Sequence, residues 1–339
     1  MKISKKILTL ILCLMITLST CIYFGCGKKK SSNVIQLNEV THSIFYAPLY
    51  VAMNNGYFED EGLEIELTNG GGSDTSMTAL LTGNADIVLV GPETAIYTEQ
   101  EGIKDKTMVF GQLTHCDGSF IVSKEEKSSF SLNDLVGETI IGGRAGGMPA
   151  MTLQYIIEKN NFTIGTGSDE INLRDDVAFN LIGSVFQGDS SIEYCTLFEP
   201  TATNLEKEGY GHVVTSVGSL LSKDVPYTCF VAKSSFLEKE EKKAEKFLRA
   251  VQKGYEYISS HTAEEVATVL LESFEGNTVE ELAVAVEAYL EIGAWTENFA
   301  MTEESFDTLQ DIMFNAGVIT ERSQFKKVVD NSIANKLKD

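Results

Sequence analysis

The 339-residue sequence predicts an α/β protein of two lobes with a helical C-terminal region. Three observations lead there. From Val34 onward, short apolar runs alternate with helical patterns, the order that builds sheets covered by helices. Beyond Glu238 the strand-like runs stop and amphipathic helical periodicity continues to the end. The chain left after an N-terminal leader, about 300 residues, is longer than one core usually serves.

The leader comes first. Lys2, Lys5 and Lys6 precede a nearly pure apolar run over 7–24, then Gly25-Cys26-Gly27 and three lysines at 28–30. A charged start, a short apolar run and a small residue at a processing point read as a signal peptide over 1–25. A polar linker follows at 26–33. The apolar run is marginal for a bilayer span of about 20 residues, which leaves a plain anchor helix as the alternative. Gly25-Cys26-Gly27 resembles the lipid-attachment box of bacterial lipoproteins, which implies diacylation of Cys26. Tyr23 stands where a leucine is usual, and Leu18-Ser19-Thr20-Cys21 is a competing box. Two acyl chains give the stable anchoring that one chain does not.

Strands are expected at 34–40, 63–67, 87–90, 107–113, 119–122, 139–141, 171–173, 195–198, 213–215 and 228–231. Leu-Glu-Ile-Glu-Leu at 63–67 alternates with period two, so one face is wet, whereas Ile-Val-Leu-Val at 87–90 reads as buried on both. Helices are expected at 48–55, where Pro48 sits in the first turn, at 76–81, ended by Gly83, and at 151–158 after a glycine-rich loop at 142–147. A helical turn at 132–135 leads into the 139–141 strand. The tail reads as helices at 238–259, 263–271, 279–289, 305–315 and 325–338. Internal repeats are absent, and so is a second long apolar run.

Composition narrows the partners. The net charge is −22, and removing the leader takes away three lysines and no acids, leaving about −25. Such acidity without a basic stripe argues against nucleic acid. Of six cysteines, Cys13, Cys21 and Cys26 fall in or next to the leader. Cys116, Cys195 and Cys229 are scattered and odd in number, which fits buried thiols better than a disulfide framework or a metal cluster.

Three segments carry a family resemblance: Ser43-Ile44-Phe45-Tyr46-Ala47-Pro48-Leu49-Tyr50-Val51-Ala52 with Gly56-Tyr57-Phe58; Gly71-Gly72-Ser73 with Gly83-Asn84-Ala85-Asp86-Ile87 and Gly91-Pro92-Glu93; and Leu135-Val136-Gly137-Glu138-Thr139-Ile140-Ile141 with the loop after it. In this order they resemble the type II periplasmic-binding-protein fold, over about residues 34 to 260. The nearest resemblance is to the group serving importers of thiamine pyrimidine precursors, alkanesulfonates, taurine and nitrate. The resemblance implies lobe 1 at 34–115 and 228–339, lobe 2 at 116–227, and hinge crossings near 115–119 and 226–229. It implies an extracytoplasmic lipoprotein, a monomer, that closes on one small molecule and delivers it to an ABC permease with its ATPase. The sites would need no cofactor and no metal.

Ligands of open α/β sheets sit beyond the carboxyl ends of the strands. The loops there combine glycines, small hydroxyls and rings, giving Ser43, Phe45, Tyr46, Gly72, Ser73, Gly91, Glu93, Thr94, Arg144, Gly146, Met148, Phe198 and Glu199 as candidate ligand contacts. Phe45 and Tyr46 could equally be core, Ser73 and Thr75 could cap a helix, and Pro92-Glu93 could simply start one. Arg144 suits a sulfonate or other oxyanion, bound bidentately. Glu93 and Glu199, with Phe45, Tyr46, Tyr97 and Phe198, suit a small heteroaromatic ring stacked between aromatic faces. The ring, as in a thiamine pyrimidine precursor or related vitamin-like compound, is the leading expectation; the oxyanion is the alternative.

An enzyme or a surface sensor on the same fold are the readings of another class. No Gly-x-Ser-x-Gly, Walker-type or His-Glu-x-x-His pattern is present, and the glycines at 142–147 lack dinucleotide spacing. His42, His115, His212 and His261 have no recognisable nucleophile beside them, and the cysteine cluster of the related pyrimidine synthase is missing.

Overall fold

The computed structural model describes residues 33–221 and 223–338. The signal peptide expected at 1–25, Cys21, Cys26 and nearly all of the linker lie outside the described residues.

The strands are β1 (Val34–Glu39), β2 (Glu64–Asn69), β3 (Ile87–Val90), β4 (Thr107–Thr114), β5 (Phe120–Ser123), β6 (Thr139–Ile141), β7 (Asn172–Arg174), β8 (Tyr194–Leu197), β9 (His212–Ser216) and β10 (Thr228–Lys233). They form two five-stranded sheets, in the orders β2-β1-β3-β10-β4 and β7-β6-β8-β5-β9. In the first, β1 runs parallel to β3, and β10 lies antiparallel between β3 and β4. In the second, β6 is parallel to β7 and β8, and β5 lies antiparallel between β8 and β9. The expected burial follows: β3 is buried throughout, and β2, on an edge, is half wet.

Helices on these sheets make the fold α/β, with the helical C-terminal region in place. The chain leaves the first sheet after Thr114 and returns at Thr228. The two crossings are zipped side by side by backbone bonds from Tyr227 N–H to Thr114 O (3.2 Å) and from Val225 N–H to His115 O (3.0 Å).

Two tail expectations need correction. The helix expected at 238–259 breaks at Glu240 into Ser234–Lys239 and Glu241–Ser260. The one expected at 325–338 is a single turn, Phe325–Val328, an extended Val329, and a short 3-10 turn at Ala334–Lys338. The free edge of β4 explains the second break. Val329 bridges to Val109 there, and Asp330 N–H donates to Val109 O at 2.8 Å. Among the described residues no helix is long and apolar enough to cross a membrane.

Glu241–Ser260 is the longest helix of the tail and packs its apolar stripe of Phe247, Leu248 and Val251 inward. Gly254 continues that stripe and lies directly on the Pro48 carbonyl, so a Cβ there would overlap backbone rather than a movable side chain. Gly254→Ala should therefore cost about 1–3 kcal/mol through overpacking, although alanine favours helix. A urea midpoint at or above wild type would show that the two helices separate without loss.

Candidate functional site

A cavity of about 630 Å³ opens at the carboxyl ends of strands from both sheets. Thr41 and Tyr46 follow β1; Gly72, Ser73 and Asp74 follow β2; Gly91, Glu93, Thr94 and Tyr97 follow β3. From the second sheet, Arg144, Gly146 and Met148 follow β6 and Phe198 follows β8, while Tyr227 and Thr228 enter β10. Tyr46, Gly72, Ser73, Gly91, Glu93, Thr94, Arg144, Gly146, Met148 and Phe198 were all expected from sequence and all line it. Ser43, Phe45 and Glu199 do not.

Glu93 dominates the interior. It opens the helix Glu93–Gln100 and is 1 % exposed. Its carboxylate folds back over Gly91, where any Cβ would overlap it, so the glycine is a space requirement. Burial pushes the Glu93 carboxyl up to about 8, opposed only by its own backbone N–H. Among the described residues its Oε2 has no hydrogen-bond partner. Around it stand the phenols of Tyr46, Tyr97 and Tyr227, each with its pKa raised first by burial; the Glu93 charge comes next for Tyr97, and adds less than Glu39 for Tyr46 and less than Asp117 for Tyr227. The Tyr227 hydroxyl is likewise buried and faces the Asp117 carboxyl. On its far side lies Asp117, whose carboxyl burial lifts to about 7 against hydrogen bonds from Ser119. A fully buried acid with one unpartnered oxygen, in a cavity of this size, is a polar group that lacks its counterpart.

Two contacts cross the mouth. Tyr97 donates its O–H to Gly146 O at 2.9 Å, and the Arg144 guanidinium lies 3.3 Å from Asp74 Oδ2. The Arg144 and Asp74 side chains are 52 % and 64 % exposed, so this pair is solvent-screened and contributes little to stability. Arg144 thus reaches the cavity from its rim, already holding a carboxylate.

The three misplaced candidates have definite structural positions. Phe45 is fully buried and packs on Phe198 and Tyr289, both with ring centroids 5.2 Å away, and on Tyr46 and Tyr227 at 5.8 Å. It is core behind the cavity wall. Ser43 caps the 3-10 turn Ile44–Tyr46, accepting from Phe45 N–H at 3.1 Å and donating to Glu199 O at 2.6 Å. The Glu199 carboxylate turns away from the cavity to accept from Thr203 N–H at 3.0 Å and its hydroxyl at 2.9 Å. Among the described residues it pairs with no lysine, and Lys207 bonds Glu281. Ser73 is no cap either, since Gly72 precedes the helix Ser73–Thr82 without a side-chain bond.

His42 and His115 serve as struts. His42 bonds Glu39 and the Ser273 carbonyl, and His115 bonds Asp224 and the Gly293 carbonyl. Cavity residues not singled out from sequence include Thr41, Asp74, Met77, Phe179, Tyr227 and Thr228. Tyr97, expected as one of the aromatic faces, also lines the cavity, four residues after Glu93 on one helix, so both face the same way.

A family model described as NMT1/THI5 like matches residues 44–265. YtlA of Bacillus subtilis (strain 168), itself only provisionally described as a binding protein, is 36 % identical over 313 residues, covering 92 % of each chain. The periplasmic nitrate-binding protein NrtA from Synechocystis PCC 6803 superposes with a TM-score of 0.73 at 15 % identity, over 90 % of this chain and 88 % of its own. The alkanesulfonate-binding protein SsuA from Xanthomonas axonopodis pv. citri, bound to MOPS, does so at 0.69 and 11 % identity, over 88 % and 99 %.

Proposed function

Because the chain belongs to the NMT1/THI5-like family, we propose that it is the substrate-binding component of an ABC import system and that its ligand is a small heteroaromatic compound. The buried Glu93 carboxyl, with an unpartnered oxygen among Tyr46, Tyr97, Tyr227 and Phe198, is the observation that carries the ligand class. Rings stack on such faces, and an amino group on the ring supplies the donor that Glu93 lacks. An oxyanion set beside Glu93 would find no buried cation among the described residues to balance its charge, and would hold Glu93 in the protonated form that burial already favours. The second reading, a small sulfonate or similar oxyanion, rests on Arg144 at the rim.

Capture follows from two lobes, 34–115 with 228–339 and 116–227, closing about the zipped crossings. Closure is favoured only by contacts made in the closed state, and those include ligand to both loop sets. We place the protein on the outer face of the membrane, lipid-anchored at Cys26, acting as a monomer and handing its ligand to a permease without chemical turnover.

A thermal-shift screen over aminopyrimidines, thiamine, riboflavin, taurine, alkanesulfonates and nitrate tests the ligand class. A ligand at a hundredfold excess over its Kd stabilises by about 2.7 kcal/mol, which such a screen resolves. A shift with rings, unchanged in Arg144→Gln, supports the proposal. A shift only with sulfonates or nitrate, lost in Arg144→Gln, replaces it by the second reading.

A further inference from the structure

Resting on the ring-binding reading above, we propose that the ligand is a cation whose charged end, a protonated amine or amidinium, enters first and takes the place of the proton on Glu93. The geometry of the chamber points there. The carboxyl is buried, keeps one oxygen without a partner, and has no basic side chain paired with it among the described residues. The titratable groups facing it are Tyr46 from the segment after β1, Tyr97 from its own helix, Tyr227 from the returning crossing and Cys229 from β10. All four stay neutral in the physiological range. Asp117 lies behind Tyr227, and the rim cation Arg144 is held by Asp74.

A lone buried carboxyl without a counter-charge keeps its proton, and a cationic ligand provides the missing charge. The aromatic faces attract the same cation through their ring quadrupoles. The strongly acidic protein draws cations toward its clefts. In the binding step the Glu93 O–H bond breaks, its proton leaves to solvent, and the ligand's N–H⁺ donates to the freed carboxylate. One positive charge enters and one leaves, so the chamber's net charge is conserved.

The test uses two probes of one shape: 4-amino-5-aminomethyl-2-methylpyrimidine, cationic at its side arm, and the 5-hydroxymethyl analogue, which is neutral there. Both are titrated calorimetrically into the protein near pH 6.5, in one buffer of small and one of large ionisation heat. The aminomethyl probe should bind at least about tenfold tighter, in line with the greater strength of charge-assisted hydrogen bonds. Its apparent enthalpy should differ between buffers by the heat of about one released proton. In Glu93→Gln the release should vanish and the preference fall to within about threefold. Equal or tighter binding of the hydroxymethyl probe, or cationic binding without buffer dependence, overturns the cationic ligand and leaves the ring reading in place. Failure of both probes to bind overturns the two together.

Discussion

In the absence of ligand, Glu93→Gln should make the protein more stable than wild type at pH 8 and nearly equal to it below pH 5. The Glu93 carboxyl titrates at about 8 when folded, against an ordinary 4.5. Between these values the unfolded chain has lost a proton that the folded chain keeps. Stability therefore falls as pH rises through the window, most steeply at about 1.4 kcal/mol per pH unit, and levels off above about 8. Accumulated over the window, the penalty is about 3–5 kcal/mol, and glutamine, neutral in both states, is free of it. Asp117, raised from 3.8 to about 7, adds a slope of the same sign that the Gln variant retains. Urea midpoints of both proteins across pH 5 to 9 check this. Parallel curves would mean that water or a local opening already solvates Glu93.

Phe45→Ala should destabilise by about 3–5 kcal/mol whether or not ligand is present, the usual cost of an aromatic cavity in a packed core. Four aromatic rings contact Phe45, and Gly118 lies against its edge so closely that no Cβ fits. The Phe45 carbonyl also accepts the Trp295 indole N–H at 2.9 Å, joining the segment after β1 to the C-terminal region. Phe45→Leu should cost much less because most of the volume is kept. Chemical denaturation of the two variants decides the matter. A loss under about 1 kcal/mol for Phe45→Ala, together with weakened ligand binding, would make Phe45 a cavity wall after all.

The loops that form the cavity were legible because each follows a strand that periodicity alone reveals. Glycines at 71–72, at Gly91 and at 142–147 then mark where backbone approaches closely. Which way a side chain leaves such a loop was not legible. Phe45 and Tyr46 are neighbours in one 3-10 turn, yet one faces the core and the other the cavity. Glu93 and Glu199 both follow buried strands and flank a proline, and only the first remains in the cavity. Thr203, four residues on, captures the second, a competition between local and ligand bonds that spacing does not settle. The short helices Ile182–Gly188 and Thr201–Lys207 went unseen for want of enough turns to show a period. Tyr227 was hidden because its place depends on a crossing that pairs with Thr114, far away in sequence.

The position of β10 bears on how the newly made chain acquires its shape. It is an interior strand of the first sheet, between β3 and β4, yet it emerges only after all of the second sheet has been made. The strands β5 to β9 are contiguous in sequence, so their sheet closes over connections of 30 residues or fewer, whereas the first awaits a partner from well over a hundred residues downstream. Contacts across such separations form late, because the chain loses more freedom in making them. The second sheet should then assemble as an autonomous nucleus while β3 and β4 still present unpaired edges. A chain cut short before Thr228 would display those edges permanently, which makes truncated products of this protein candidates for aggregation and surface proteolysis.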